Sequence, residues 1–268
     1  MKYYIWLLSF ALLAGSLNSY AQIDDLSKAI NESGRLRMLT QRLSKAYLLK
    51  NMDIQPSKAQ LQFTTGIEKF NTNLKELTAF SEKTNRPAPL LETLNLIEQE
   101  WLAYQQALSG TLDKTTVDNL LASSDRTLLA CEALVSQLEK AAEVQSAQWV
   151  NLSGRQRMLS QRIAKLYSAI SYSDGNEIGL AHIEELNDAV TEFDLALDKL
   201  LNSPVNTHFV NHKLKKVATQ WNFSKQGFKL LGKGNSTPLV IAMTTETMLK
   251  QMNDITELYE ALAKKQKS

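Results

Sequence analysis

The chain has 268 residues, with 30 Lys and Arg against 28 Asp and Glu, ten Gly, five Pro, three His and one Cys. So little Gly and Pro excludes collagen-like and linker-like chains and argues against an all-β fold, which needs turn residues at short intervals. The near-balance of charge removes the global basic field expected of a nucleic-acid binder, and one Cys excludes an internal disulfide framework.

The first 22 residues read MKYYIWLLSFALLAGSLNSYAQ. Lys2 is a short positive start, Ile5 to Gly15 is an apolar stretch, and Ser19-Tyr20-Ala21 is a small-x-small cleavage site. That is the order of a secretory signal peptide, expected over residues 1–21 and cut before Gln22. The apolar core is short for a membrane span of about 20 residues, so an uncleaved inner-membrane anchor is the alternative. After Ala21 no run of 18 apolar residues follows. The expected product is a periplasmic protein.

From there the apolar residues recur every three and four positions, as in Ile67, Phe70, Leu74, Leu77 and again in Leu186, Val190, Phe193, Leu197, Leu200. This is the amphipathic-helix period, without sustained strand alternation. Breaks fall at Asn51 to Pro56, Thr84 to Pro89, Gly110 to Thr115, Asp174 to Asn176, Ser203-Pro204 and Gly232 to Pro238. Between Thr116 and Tyr172 there is no Pro, and Gly154 is the one Gly. The expectation is one helix of about 85 Å at ~1.5 Å per residue.

Asn31 to Tyr47 recurs 120 positions later as Asn151 to Tyr167, with eleven of seventeen pairs identical. Trp101 pairs with Trp221, Val135 with Ile255 and Leu138 with Leu258 in the same register, and Phe70, Leu74 and Leu77 pair with Phe193, Leu197 and Leu200 after a three-residue slip. The chain is therefore read as a tandem duplication, residues 22–140 and 141–268, each unit supplying four helical segments. The expected fold is all-α: two four-helix bundles end to end, sharing the long central helix.

On a helical wheel Leu36, Leu39, Leu43, Ala46 and Tyr47 form a core-facing stripe, and Asn31, Gly34, Arg35, Met38, Gln41, Arg42 and Lys45 form the adjoining face. From Ser33 to Lys50 there are five cations and no carboxylate, and from Leu152 to Ser173 four cations and none. A soluble helix ordinarily intersperses its signs. Gly34 and Gly154 also sit inside their helices, at about 1 kcal/mol each against Ala. Clustered Arg forks, a Gly that opens the backbone and neighbouring amides and hydroxyls suit a small oxyanion. Neutralisation of these cations by acids of other helices is the competing reading.

The repeated Asn-x-Ser-Gly-Arg-x-Arg-Met-Leu-[Thr/Ser]-Gln-Arg resembles the motif of the type IV pili methyl-accepting chemotaxis transducer N-terminal (PilJ-like) domain. It is also similar to the periplasmic sensor domain of the nitrate/nitrite sensor kinase NarX. The resemblance implies a four-helix bundle that dimerises, with nitrate between the first helices and held by the Arg before Met. Here that points to Arg37 and Arg157, with Gly34 and Gly154 as the backbone approach and Arg42 and Arg162 as the second family Arg. Arg35 and Arg155, directly after Gly, follow the PilJ-like version. A sensor module without its own transmitter is expected.

Weaker constellations carry less. His208 and His212 are four apart without a third ligand nearby, so no metal site is expected. Glu184, Glu185, Asp188, Glu192, Asp194 and Asp198 make an acidic face, solvated or facing the basic helices. Cys131 lies on an apolar helix face, and Trp101 and Trp221 read as core anchors. No catalytic set or cofactor motif is present. The expected function is an exported, non-enzymatic module that binds a small anion and works with a membrane-bound receptor or kinase, with a second copy of the chain as a candidate partner. The alternative is an adaptor whose basic helices dock an acidic protein.

Overall fold

The computed structural model describes residues 23–84, 88–142, 147–173, 177–228 and 237–265; the segment read as a signal peptide lies outside them. Eight helices hold nearly all of the described residues: α1 (Leu26–Asn51), α2 (Pro56–Lys83), α3 (Ala88–Ser109), α4 (Lys114–Ala142), α5 (Ala147–Ser173), α6 (Glu177–Leu201), α7 (His208–Phe228) and α8 (Pro238–Lys265). The chain is all-α as expected. No described helix is long and apolar enough to cross a membrane.

The helix starts follow local chemistry. Asp25 caps α1 by accepting from the Lys28 N–H at 2.9 Å, satisfying one of the orphan donors of the first turn. Asp113 and Thr116 cap α4 reciprocally, at 2.8 Å and 2.7 Å. Pro56 and Pro238 open α2 and α8, where a missing N–H costs nothing. The tight turn before α2 places Asp53 and Gln55 at φ 56° and 47°.

Within the first half α1 packs on α2 and α4, and α3 on α2 and α4; α5 to α8 repeat this arrangement. In each half the third helix anchors the core with a tryptophan. Trp101 stacks on Phe70 at 4.0 Å between ring centroids, and Trp221 lies 4.2 Å from Phe193. Their indole N–H groups donate to Asn71 and Asp194, 2.7 Å in each case. Cys131 is fully buried in α4, and burial pushes its thiol pKa up.

The shared long helix and the end-to-end arrangement are not what the chain adopts. Lys165 of α5 lies 2.8 Å from Asp125 of α4, and Arg155 lies 2.7 Å from Glu132. In one continuous helix those pairs would be about 60 Å and 35 Å apart at ~1.5 Å per residue. α5 therefore runs antiparallel to α4. The two halves stand side by side, and α1 against α5 is the most extensive helix pair in the molecule. Lack of Gly and Pro permits a long helix but does not require one; here packing decides, because reversal lets the polar faces of α1 and α5 bury each other.

The reversal also corrects the register of the fourth helices. The buried Leu134, Leu138 and Ala142 of α4 correspond to the buried Ile255, Tyr259 and Ala263 of α8, a spacing of 121 rather than 120. Ile255 thus pairs with Leu134 rather than Val135, and Leu138 with Tyr259 rather than Leu258.

Candidate functional site: the polar interface between the halves

An ordinary amphipathic helix buries one stripe. α1 and α5 bury nearly all of their circumference. Leu36, Leu39, Leu43, Ala46 and Tyr47 face the core of their own bundle as expected; the adjoining polar face of α1 meets that of α5. The two helices run parallel. Arg37 Nη2 donates to Asn151 Oδ1 at 2.8 Å, Arg157 Nη2 to the Asn31 carbonyl at 3.1 Å, and Lys45 Nζ to Gln161 Oε1 at 2.7 Å. Residues of equivalent motif positions thus lie level with one another across a local twofold.

The interface has three polar levels, set by seven-residue spacing on the fourth helices. At one end Arg42 and Lys45 both pair with Glu246 of α8, while Arg162 and Lys165 pair with Asp125 of α4, and Arg162 also with Glu185 of α6. At the other end Asn31 donates to Glu260 and Asn151 to Glu139. Glu246, Asp125, Glu260 and Glu139 come from the opposite half, and Glu185 from the same half as Arg162. The acid-free stretches from Ser33 to Lys50 and from Leu152 to Ser173 therefore have a structural cause: their counter-charges sit largely on other helices, and at the two ends of the interface mainly on those of the neighbouring unit. Glu185 and Glu192 of the acidic face also turn to the basic helix, pairing with Arg162 and Arg155.

The middle level holds Arg37 and Arg157, both fully buried. Their guanidinium tips meet over the two glycines. A methyl carbon added to Gly34 would lie 3.3 Å from Nη2 of each arginine, and one added to Gly154 3.2 Å from Nη2 of Arg157 and 3.5 Å from that of Arg37. The glycines make room for the arginine tips. Arg37 Nη1 reaches Glu132 at 2.8 Å. Arg157 Nη1 reaches only the amide oxygen of Asn253, at 3.0 Å. The Nε–H groups of both arginines are buried without a hydrogen-bond partner. Arg35 lies 3.1 Å from Glu32, and Arg155 bridges Glu132 and Glu192 at the rim of the interface.

The electrostatics follow from who shares which carboxylate. Burial, together with the charges of Arg35 and Arg37 and against those of Glu32 and Glu257, pushes the Arg157 pKa down to about 9, so it stays charged at neutral pH but at a cost. Burial pushes Lys45 down to about 8 despite Glu246. Burial would raise Glu246, but Lys45 and Arg42 together hold it down at about 2. Lys165 is lowered by burial, and Asp125 is held low against burial by Lys165 and Arg162.

All eight sequence-derived site residues lie at this interface. The docking of basic helices onto an acidic partner is overturned: Arg37, Lys45, Arg157 and Lys165 are fully buried, and most of the cations here already face internal carboxylates. His208 and His212 are exposed, and no group of three metal-ligating side chains occurs among the described residues. Sequence reasoning missed Asp125, Glu132, Glu246 and Asn253. The available signal was the heptad of polar residues in each fourth helix, Asp125-Glu132-Glu139 and Glu246-Asn253-Glu260.

Comparisons with curated proteins and with solved structures gave no match. A family model described as the type IV pili methyl-accepting chemotaxis transducer N-terminus matches twice, over residues 19–127 and 140–247, one match to each half of the fold. Together they cover most of the chain, which belongs to this PilJ family of sensory, signalling domains and carries the domain in two tandem copies.

Proposed function

We propose that the chain is an exported, non-catalytic sensor module that binds a small oxyanion of the nitrate kind between its two halves and reports occupancy to a separate membrane-bound receptor or kinase. One observation carries this reading: two fully buried guanidiniums converge on one spot with both Nε–H groups unpartnered. A fork of donors that are already desolvated and held by their neighbours suits a planar anion. The similarity to the NarX sensor domain points the same way. There the first helices pair between subunits; here α1 and α5 supply the same pairing inside one chain. Residues 22–140 and 141–268 are the units, and export removes residues 1–21.

The test is a thermal melt of the purified chain in sodium nitrate against sodium gluconate of equal ionic strength. Binding to the native state raises the melting temperature with ligand concentration. Arg157→Lys keeps a charge but not the fork, and should lose most of the shift. A melting temperature indifferent to nitrate, nitrite and similar anions overturns the reading. Intact mass of the exported protein checks the leader; the expected N-terminus is Gln22.

A further inference from the structure

The outer levels of the interface are matched between the halves. Asp125 corresponds to Glu246, and Glu139 to Glu260. The middle level is not: the position that carries Glu132 in α4 carries Asn253 in α8. Four arginines gather at this level. Arg35 has Glu32, Arg37 has Glu132, and Arg155 has Glu132 and Glu192. Arg157 ends on two neutral oxygens, Asn253 Oδ1 at 3.0 Å and the Asn31 carbonyl at 3.1 Å, and meets no carboxylate at ion-pair distance among the described residues. Two acids act on Arg157 from beyond that distance: Glu32, which already pairs with Arg35, and Glu257, which is exposed and accepts from Asn253 Nδ2 at 2.7 Å.

We infer that Asn253 is the specificity-determining residue of the interface: it leaves the middle level one negative charge short, so that a single monovalent anion binds per chain, on the Arg157 side. Glu132 is the built-in counter-charge of the other side, occupying there the role that the ligand fills here. The inference rests on the anion-site reading above and deepens it. The physical ground is the cost of a buried cation without a counter-ion. The chain accepts that cost once, at Arg157, and avoids it at the equivalent Arg37. At Arg37 the Nη1 donates to the carboxylate of Glu132, whereas at Arg157 the same atom donates to the neutral Asn253 oxygen, and that is where the missing charge belongs.

The experiment uses the full mature chain, with sodium nitrate as probe and sodium sulfate as the divalent control at matched ionic strength. Calorimetry of wild type should give one nitrate per chain, with sulfate weaker. Asn253→Glu should raise the melting temperature in anion-free buffer and weaken nitrate tenfold or more, because the new carboxylate takes the ligand's place. The exchange variant, Glu132→Asn with Asn253→Glu, restores the charge deficit on the Arg37 side and should recover nitrate affinity to within about threefold. Two nitrates per wild-type chain, sulfate as tight as nitrate, unchanged affinity in Asn253→Glu, or a lower anion-free melting temperature in that variant would each overturn this inference while leaving the site itself in place. A wild type that ignores nitrate overturns both.

Discussion

Arg42 and Lys45 in α1 and Arg162 and Lys165 in α5 are the same residues of the same repeated motif, yet the two pairs are neutralised differently. Glu246 alone serves the first pair, with its side chain only 9% exposed. Asp125, 30% exposed, serves the second and shares Arg162 with Glu185. The duplication has kept the cations and let the acids diverge. Apart from Glu185, the counter-charges at this level come from the fourth helix of the other half. A half on its own would carry cations without partners, so the ion pairs specify the docking of the halves as much as they stabilise it.

The largest expected effect breaks this comparison at its tighter end. Glu246→Ala leaves the buried Lys45 ammonium without any carboxylate, and removing one partner of a buried pair costs about 3–5 kcal/mol. Asp125→Ala likewise strips the buried Lys165 of its ion-pair partner, but Asp125 is more exposed and Arg162 keeps its contact with Glu185, so the cost should be smaller. Urea unfolding at pH 7 measures both. Equal losses would mean that the two clusters are energetically alike.

A smaller effect appears on acidification. The folded-state pKa of Glu246, about 2, lies below its ordinary value of 4.5, and that of Asp125 lies below 3.8. A depressed carboxylate contributes stability that is fully present above its unfolded pKa and is lost as pH falls through the folded value. The melting temperature should therefore decline from about pH 4.5 downward. Glu246→Gln should flatten that decline more than Asp125→Asn does. A melt in which Asp125→Asn has the stronger effect would reverse the ranking of the two clusters.

Much of this was legible in the residues, and the parts that were not have a common cause. Helix period, break positions, the duplication and the core tryptophans are local signals repeated many times over. The eight interface residues were legible because a Gly inside a helix and a run of cations without acids both break local rules. The reversal between α4 and α5 was not, since residues 143–146 contain neither Gly nor Pro. What turns the chain is long-range: Asp125 with Lys165, and Glu132 with Arg155. The counter-charges Glu246 and Glu132 were hidden for the same reason. Each lies on an ordinary amphipathic helix, 95 to 204 residues from the α1 cation it meets, and pairing over such separations leaves no mark on the local sequence.

The smallest expected effect concerns the two glycines, and it sharpens the contrast between the arginines. Ala in place of Gly inside a helix favours folding by about 1 kcal/mol. At both positions the added methyl would press on guanidinium tips at 3.2–3.3 Å, closer than comfortable contact, so the arginines must shift by a few tenths of an ångström. Because Arg37 and Arg157 are buried and tied to their neighbours, that shift offsets most of the helical gain. Gly34→Ala and Gly154→Ala should each change unfolding stability by less than about 0.5 kcal/mol. Their effects on nitrate should differ. The methyl at position 34 meets the Nη2 atoms of both arginines equally, whereas that at 154 crowds Arg157 at Nη2 and also reaches its Nε at 4.0 Å. Arg157 is the cation without a carboxylate, so Gly154→Ala should reduce the nitrate-dependent melting shift more than Gly34→Ala. Equal reductions would mean that the two arginines hold the anion alike, and that the unequal acids at Glu132 and Asn253 do not place it.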